Sequence, residues 1–333
     1  AEEGYSIADA QFSLSEQNTS NGTAQGTDGT MGFPVLPSYT SAGGSLSVSG
    51  NTVTGTDNNG KAYSIVFNSS GKMTSWTYDG KNLIAAGPDF NSYRKVDNDR
   101  NFSPSFSNSS SLSITRALAK SGNNATMSVE GSATGCSYTI NYTFYPDGTV
   151  DMNVKFSPSG TLARIGLGMQ FASGFENVEF YARGPRSNYS DRKTGSYLGR
   201  FTTTVDDMVD EMIHPQTFGD HEDMRELILT NRASNVQIGI KAGGRASFSL
   251  SHYDETKWCK SGDSMWNTKL HWYDLTRYQQ VYAHFDYMQR GLGNNSCGGD
   301  GCLSQYQCPS SGSYTYTLRF KPQSAESVNV VAE

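Results

Sequence analysis

The densest group of chemically useful side chains lies at residues 180–200, where polar and aromatic residues are interleaved (FYARGPRSNYSDRKTGSYLGR). The Gly-Pro pair at 184–185 predicts that a strand ends there in a tight turn. Amide, carboxylate, guanidinium and aromatic groups together suit the hydroxyls and ring faces of a sugar, so the segment is a candidate carbohydrate site. The same groups could instead form a structural turn held by an Asp-Arg pair, which the spacing alone favours. The candidate binding residues are Arg183, Asn188, Tyr189, Asp191 and Arg192.

Two further segments concentrate polar residues, at 93–100 (YRKVDNDR) and at 289–298 (QRGLGNNSCG). The first could coordinate a hard cation through the oxygens of its Asp-Asn-Asp triplet at 97–99, but it lacks the glycine and distal glutamate of an EF-hand. Turn-forming or buried ion-pairing residues are therefore the favoured interpretation. In the second segment no helix follows Gly291 and Gly293, so they predict a flexible lip and not a phosphate cradle.

The sequence shows no complete glycosidase centre. A retaining glycosidase needs two carboxylates about 5 Å apart, one of them with a raised pKa. Aspartate and glutamate together number 32, yet none lies in a recognisable acid or nucleophile motif. The five histidines form no Ser-His-Asp motif and no helical ligand pair, so we expect hydrogen-bonded structural roles for them.

Five cysteines are present, and three of them fall in one C-terminal loop. Paired C-x-x-C spacing is absent, which argues against a zinc site. A loop disulfide between Cys302 and Cys308 and a set of free thiols are equal alternatives. The cysteines are Cys136, Cys259, Cys297, Cys302 and Cys308.

The elements that must position these groups are β-strands. Apolar residues alternate with polar ones over residues 138–144 and 150–156, and a Pro-Asp-Gly turn at 146–148 joins the two runs into a hairpin. Similar alternation recurs along the chain between clusters of Gly, Asn, Ser and Asp, whereas helical periodicity is confined to about two turns at residues 205–212. The pattern predicts an all-β fold of stacked antiparallel sheets. The other alternating runs cover residues 63–67, 236–240, 248–250 and 314–320.

Composition limits the classes of partner. With a net charge of −6 and no basic stripe, the chain is not expected to bind nucleic acid, and its longest apolar runs are too short for a membrane span. Its richness in Ser, Thr, Asn and Gly is typical of secreted or cell-surface bacterial proteins. The first residues lack a signal-peptide pattern and suggest a cut inside a longer chain. Residues 7–14 could form a lone edge strand of a preceding domain, and the Gly-rich stretch after residue 17 predicts a linker.

In order, the three polar segments resemble the C-terminal domain of family 2 β-galactosidases, which also occurs as the separate small subunit of two-chain β-galactosidases. Residues 182–193 (ARGPRSNYSDRK) are similar to that family's GRGPxENYxDRK pattern. Upstream, Tyr93-Arg94 resembles the family's aromatic-Arg segment, and residues 97–99 resemble the Asp-Asn-Asp triplet that follows it. Downstream, Pro215-Gln216 resembles the family's PQE, and residues 291–298 resemble its GxGG…SWG loop. Residues 2–14 resemble the last strand of a preceding Ig-like domain.

The resemblance implies a large antiparallel supersandwich of the galactose-mutarotase-like type at residues 37–333, after an Ig-like strand at 1–17 and a linker at 18–36. It implies that the catalytic glutamates lie in a (β/α)₈ barrel outside this chain. The chain would then be a non-catalytic part of an enzyme that hydrolyses terminal β-galactosides such as lactose, and it would be inactive alone. The implied partners are a β-galactoside or related glycan and a catalytic barrel domain or large subunit. No cofactor is expected on this chain, although the barrel could hold a metal ion.

In the family, one loop of this domain reaches the pocket of the barrel, where its tryptophan stacks on the acceptor sugar. The matching residues are Asn294, Asn295, Ser296 and Cys297, with Cys297 at the tryptophan position. A thiol has no stacking face, so affinity for the leaving-group sugar should be weaker or should depend on another aromatic ring. Ser187 and Thr217 replace two family glutamates, which leaves the exact glycoside open.

Two alternatives come from other functional classes. A stand-alone carbohydrate-binding module would bind galactose or lactose in isolation. A free aldose epimerase of the same sandwich fold would need a histidine base and a glutamate partner in one pocket.

Overall fold

The computed structural model describes residues 32–95, 107, 109–213, 215–258, 270–293 and 301–325. Almost all regular structure in these ranges is β-strand, as the period-two alternation predicts. Four single turns of 3-10 helix lie at Asp206–Met208, Glu255–Lys257, Trp272–Asp274 and Ser304–Tyr306. The strands are β1 (Ser45–Ser49), β2 (Thr52–Thr56), β3 (Ala62–Phe67), β4 (Met73–Tyr78), β5 (Lys81–Asn82), β6 (Ile84–Phe90), β7 (Ser111–Ser121), β8 (Asn124–Ala133), β9 (Cys136–Phe144), β10 (Val150–Pro158), β11 (Arg164–Phe171), β12 (Asn177–Gly184), β13 (Tyr197–Thr204), β14 (Glu226–Asn231), β15 (Val236–Gly243), β16 (Ser247–Ser251), β17 (Val281–Gln289) and β18 (Tyr314–Ser324).

The described strands form three antiparallel sheets. The largest has the order β13-β12-β14-β15-β18-β10-β9-β8-β7, a second has the order β1-β2-β3-β4-β5, and a third has the order β16-β17-β11-β6. Their apolar faces meet in one continuous core that is rich in aromatic rings. This arrangement confirms the predicted all-β antiparallel supersandwich.

The predicted hairpin is formed by β9 and β10, which pair in register from Val150 opposite Phe144 to Pro158 opposite Cys136. Tyr142 and Phe144 point into the core and stack with ring centroids 5.8 Å apart. Gly148 closes the turn at φ +81°, a conformation that glycine adopts without strain. The other alternating runs predicted from sequence lie in β3, β15, β16 and β18.

The helix predicted at residues 205–212 is wrong in its length. Only Asp206–Met208 forms a 3-10 turn, and the backbone is extended again at Val209. A helix of two turns is marginal without strong local support. Here the side chain of Asp206 binds Arg277 instead, and that of Asp207 accepts a hydrogen bond from Thr204, so neither supports a further turn.

The described part of the predicted linker, residues 32–36, lies along the nine-stranded sheet. The carbonyl of Pro34 accepts a hydrogen bond from the amide of Gly244 (2.7 Å), and that of Gly32 accepts one from Arg225 (2.7 Å). Leu36 lies over Gly243 at the end of β15. Residues 1–31, which include the predicted Ig-like strand, lie outside the described residues.

The four-stranded sheet has one apolar and one polar face. Side chains along a strand alternate between faces, so the neighbours of core residues point to the opposite side. On β17 the core residues are Val281, Ala283 and Phe285, and the residues between them are polar. The opposite face carries Arg164, Gly166, Gly168 and Gln170 on β11, Ser247, Ser249 and Ser251 on β16, and Tyr282, His284 and Asp286 on β17.

Candidate functional site

The motif at residues 182–193 begins where β12 ends and is held by a buried ion cluster. The guanidinium of Arg183 donates to the carboxylate of Asp223 through Nε and to the carbonyl of Ser196 through Nη1 (3.1 Å). Lys193 lies 3.1 Å from the Glu222 carboxylate and 3.2 Å from that of Asp223. Burial opposes the ionisation of Asp223, but Lys193 and Arg183 outweigh it and hold the pKa of that carboxyl below its usual value.

Two predicted sugar-binding residues, Asn188 and Tyr189, are turned inward. The side-chain amide of Asn188 donates to the carbonyls of Arg183 (3.0 Å) and Arg186 (3.1 Å), and its oxygen accepts from the backbone of Glu222 (3.0 Å). The ring of Tyr189 is buried beneath the Arg94 guanidinium at 5.6 Å. Both residues therefore position the turn, because protein groups already occupy the side-chain amide of Asn188 and a ring face of Tyr189.

Asp191 connects this motif to the Gly-rich segment 100 residues downstream. Its carboxylate accepts hydrogen bonds from the backbone amides of Leu292 (3.0 Å) and Gly293 (2.8 Å). Gly291 is needed beside it, since a Cβ at that position would lie 2.4 Å from a carboxylate oxygen of Asp191. The backbone is thus held directly before residues 294–297.

The predicted Asp-Arg pair within the motif is wrong in its partners. Asp191 binds backbone amides, Arg183 binds Asp223, and Arg192 is exposed, with no ion pair to any residue in the described ranges. The backbone amide of Arg192 donates to the carbonyl of Tyr189 (2.8 Å) and closes the turn. The other four predicted binding residues, Asn294, Asn295, Ser296 and Cys297, lie outside the described residues.

Arg94 supports the same downstream segment from the other side. It is buried, and its Nη1 donates to the carbonyl of Arg290, one residue before the Gly-rich lip. Burial lowers the pKa of its guanidinium. Lys95 is buried as well and donates through Nζ to the carbonyl of Pro215. The sequence favoured turn-forming or buried ion-pairing residues at 93–100, and Arg94 and Lys95 are indeed buried. The Asp-Asn-Asp triplet lies outside the described residues.

Arg164, which sequence reasoning missed, is the centre of the polar sheet face. The fully buried guanidinium lies 3.0 Å from Asp286 and 3.4 Å from Glu255, and its Nη1 is 3.2 Å from Nδ1 of His284 and donates to the carbonyl of Tyr93 (3.1 Å). Charged residues at alternate positions of otherwise apolar strands, as in VYAHFDYMQ, are the signal that could have identified this network.

Burial dominates the protonation of the Arg164 network. It raises the pKa of Asp286 to about 7 against the attraction of Arg164. Burial, together with the Arg164 charge, lowers the pKa of His284 well below its usual value, so this imidazole is neutral at pH 7. Because Nδ1 of His284 must accept from the guanidinium, its proton resides on Nε2. Glu255 keeps a raised pKa, also through burial, and accepts from the hydroxyl of Thr217 (2.8 Å).

Among the described residues, one trio of possible metal ligands, Glu176, Asp206 and His252, has its ligand atoms within 4.8 Å of one another. Arg277 donates to both oxygens of Asp206 (2.8 and 3.0 Å), and Nε2 of His252 is 2.7 Å from Glu176. These groups are already engaged with Arg277 and with one another, which explains their proximity.

Cys136, Cys302 and Cys308 are free thiols, so the proposed Cys302–Cys308 disulfide is not formed. Burial raises the pKa of Cys308 to about 12 and that of Cys136 to about 11, which keeps both protonated at neutral pH. Cys259 and Cys297 lie outside the described residues. Of the histidines, His221 donates to the carbonyl of Arg183 (2.9 Å) and stacks on Phe248, in the structural role predicted.

The chain belongs to the beta galactosidase small chain family, whose model matches residues 59–320. It is 31% identical over 160 residues to a β-galactosidase of Staphylococcus xylosus, covering 48% of this chain and 14% of that protein. It is 26% identical over 273 residues to β-galactosidase BgaC of Bifidobacterium adolescentis, covering 75% of this chain and 25% of that protein. The chain thus spans a quarter or less of these relatives.

Among solved structures, the chain is similar to a galactose 1-epimerase from Lactobacillus acidophilus NCFM, with a TM-score of 0.48, 9% identity and coverage of 83% of this chain and 95% of that one. A GalM/aldose epimerase homologue from C. elegans gives a TM-score of 0.44 at 8% identity, covering 85% of this chain and 99% of that one. In the described residues, no helix is long and apolar enough to cross a membrane.

Proposed function

We propose that this chain is the non-catalytic small-subunit-type domain of a β-galactosidase that hydrolyses terminal β-galactosides such as lactose. The observation that carries the proposal is the pair of hydrogen bonds from Leu292 and Gly293 to the Asp191 carboxylate. They hold the backbone that leads into Asn294, Asn295, Ser296 and Cys297, the segment we assign to the acceptor side of the active site. Membership of the small chain family supports the same role.

In this role the chain positions a loop, and the catalytic carboxylates belong to a barrel domain or large subunit. Arg183, Asn188, Tyr189 and Asp191 hold the loop from within the fold, and Arg192 is the only exposed side chain among these five candidate residues. The chain needs no cofactor for this work, and any catalytic metal ion would reside on the barrel. The isolated chain should therefore leave lactose intact.

Cys297 gives the proposal a direct test in the full-length enzyme. A Cys297→Trp variant should gain a stacking face for the acceptor sugar, which contributes about 0.5–1.5 kcal/mol for an aromatic contact. We expect KM for lactose to fall roughly twofold to twelvefold. Methyl β-galactoside, whose leaving group has no ring to stack on the indole, should gain less.

Cys297→Ser is the matched control, since it also lacks a stacking face, and it should behave like the wild type. Equal KM changes for both substrates in Cys297→Trp, or no change for either, would contradict the assignment to the acceptor side. Hydrolysis of lactose by the isolated chain at enzymatic rates would contradict the non-catalytic role itself.

One observation keeps the aldose epimerase alternative in view. Nε2 of His284 lies 3.9 Å from a carboxylate oxygen of Glu255, so a histidine and a glutamate do meet beside a cleft. Both side chains, however, bind the buried guanidinium of Arg164, which holds Nδ1 of His284 and one oxygen of Glu255. We therefore assign the pair to the structural network. Mutarotation of α-galactose by the purified chain, abolished by His284→Ala, would reverse this ranking.

A further inference from the structure

The polar face of the four-stranded sheet opens into a cleft of about 190 Å³ between β6, β11 and β17. Residues 291–293, the lip described above, do not line this cleft. The volume is below the roughly 300–1,000 Å³ of pockets for drug-sized ligands, and it suits one small ring better than a chain of sugars. Its polar lining includes Asp89, Asn91, Gln170, Asp254, Tyr282 and His284.

The backbone is irregular at this cleft. The pairing of β11 with β6 shifts register twice, between Gly168 and Gln170 and between Gln170 and Phe171. Bulges of this kind re-aim side chains and are common beside binding sites. The floor is open because Gly168 has no side chain: a Cβ there would lie 3.1 Å from the amide nitrogen of Asn91.

The charges of the cleft disfavour an anionic ligand. Lys72 lies 3.1 Å from Asp89, so its charge is compensated within the wall. Asp254 accepts hydrogen bonds from the backbone and hydroxyl of Thr256 (3.0 and 2.6 Å) and brings a carboxylate that no described cation pairs with. An anionic ligand would face this carboxylate at short range, whereas hydroxyl groups could donate to it.

The remaining lining residues supply the partners that a polyol needs. His284 is neutral and carries its proton on Nε2, as derived above, and Gln170 offers both a donor and an acceptor. Tyr282 is half-buried and adds an aromatic ring to the wall. Carboxylates, amides, an imidazole and an aromatic ring in a one-ring cleft form a recognition set for a sugar.

We propose that this cleft binds one neutral sugar ring, at a second site separate from the acceptor loop. The test is hydrogen–deuterium exchange of the full-length protein with D-galactose or D-glucose as the probe. Sugar should slow amide exchange in peptides covering β6, β11 and β17, by roughly tenfold where its concentration is ten times the Kd. D-glucose 6-phosphate, the anionic counterpart, should protect the same peptides less.

Two lining variants and their matched controls give the test its specificity. Gln170→Leu removes the amide, and Gly168→Ala fills the floor, so both should abolish the protection. Gln237→Leu and Gly239→Ala place the same changes on β15, where the Cβ at Gly239 would meet only a carbonyl 3.9 Å away, and both should keep it.

If a sugar concentration of about 50 mM gives no protection, the proposal is overturned. Protection that persists in both lining variants would overturn it as well. Protection confined to peptides from another domain would also overturn it, since the sugar would then occupy only the catalytic pocket. Variants at Asp191 or Cys297 that alter lactose hydrolysis should leave the sugar-induced protection of β6, β11 and β17 unchanged. The proposed function and the proposed second sugar site can therefore fail independently.

Discussion

Replacing Gly291 by alanine tests whether Asp191 holds the lip of the acceptor loop. The added Cβ would lie 2.4 Å from an oxygen and 2.6 Å from the carboxyl carbon of Asp191. Because non-bonded heavy atoms settle at about 3.5 Å, the carboxylate must move by about 1 Å. The bonds to Leu292 and Gly293, now 3.0 and 2.8 Å long, would then exceed hydrogen-bonding distance.

The expected loss follows from the strength of charge-assisted hydrogen bonds. Each contributes about 1.5–3 kcal/mol when well shielded, and since Asp191 is half-buried we take about 2 kcal/mol for the pair. That corresponds to roughly 30-fold more frequent local opening. Hydrogen–deuterium exchange of short peptides containing residues 292 and 293 should rise accordingly, and KM for lactose in the full-length enzyme should increase.

Gly195→Ala is the control, because a Cβ at Gly195 meets nothing within 4 Å and the residue lies in a nearby turn. It should leave both exchange and KM unchanged. If Gly291→Ala behaves like Gly195→Ala in both measurements, Asp191 does not hold the lip. Faster exchange with an unchanged KM would show that the lip is held but does not reach the acceptor site.

Three further changes probe the buried charges. Asp223→Asn should lower thermal stability at pH 7 by about 3–5 kcal/mol, because it leaves Lys193 buried without its full partner. The pKa of Asp223 is lower in the folded chain than in the unfolded chain. The difference in free energy of unfolding between wild type and Asp223→Asn should therefore shrink as the pH falls below the unfolded-state pKa of about 4. Burial lowers the pKa of His221 to about 4 in the folded chain, so on acidification the unfolded chain binds a proton at a higher pH than the folded chain does. The free energy of unfolding should therefore fall by roughly 3 kcal/mol from pH 6.5 to pH 4. His221→Asn should remove that part of the pH dependence in urea titrations. Thr217→Val should cost about 1–3 kcal/mol, because Glu255 loses a hydroxyl donor, and Thr217→Ser should restore most of it in the same unfolding assay.

The strands could be predicted from sequence because their signal is local. Alternation in residues 138–156 places one face of β9 and β10 in the core, and a Pro-Asp-Gly turn fixes their register. The prediction of a two-turn helix at residues 205–212 was wrong because the contact that decides the structure there is not local. Asp206 is drawn to Arg277, which lies 71 residues away, and no local pattern reports such a contact.

The partners of the site residues depend on the same distant contacts. The motif predicted an Asp-Arg pair inside residues 183–192, yet Arg183 reaches Asp223 and Asp191 reaches residues 292–293. Sequence distance between partners is 40 residues in the first case and about 100 in the second. The residue types predicted a concentration of polar groups, but only the sheet order shows which groups become partners.

The polar sheet face is better explained by function than by stability. Burying Arg164 with Asp286 and Glu255 costs desolvation energy, and apolar residues in such places are often equally or more stabilising. The Arg164 guanidinium instead holds neighbouring groups in place through its hydrogen bonds. Through Tyr93 it adjoins Arg94, which holds the backbone before the lip, and through His284 it reaches the proposed sugar cleft. One buried cation therefore contacts residues that lead to both candidate sites, and an apolar side chain of the same volume could not make these hydrogen bonds.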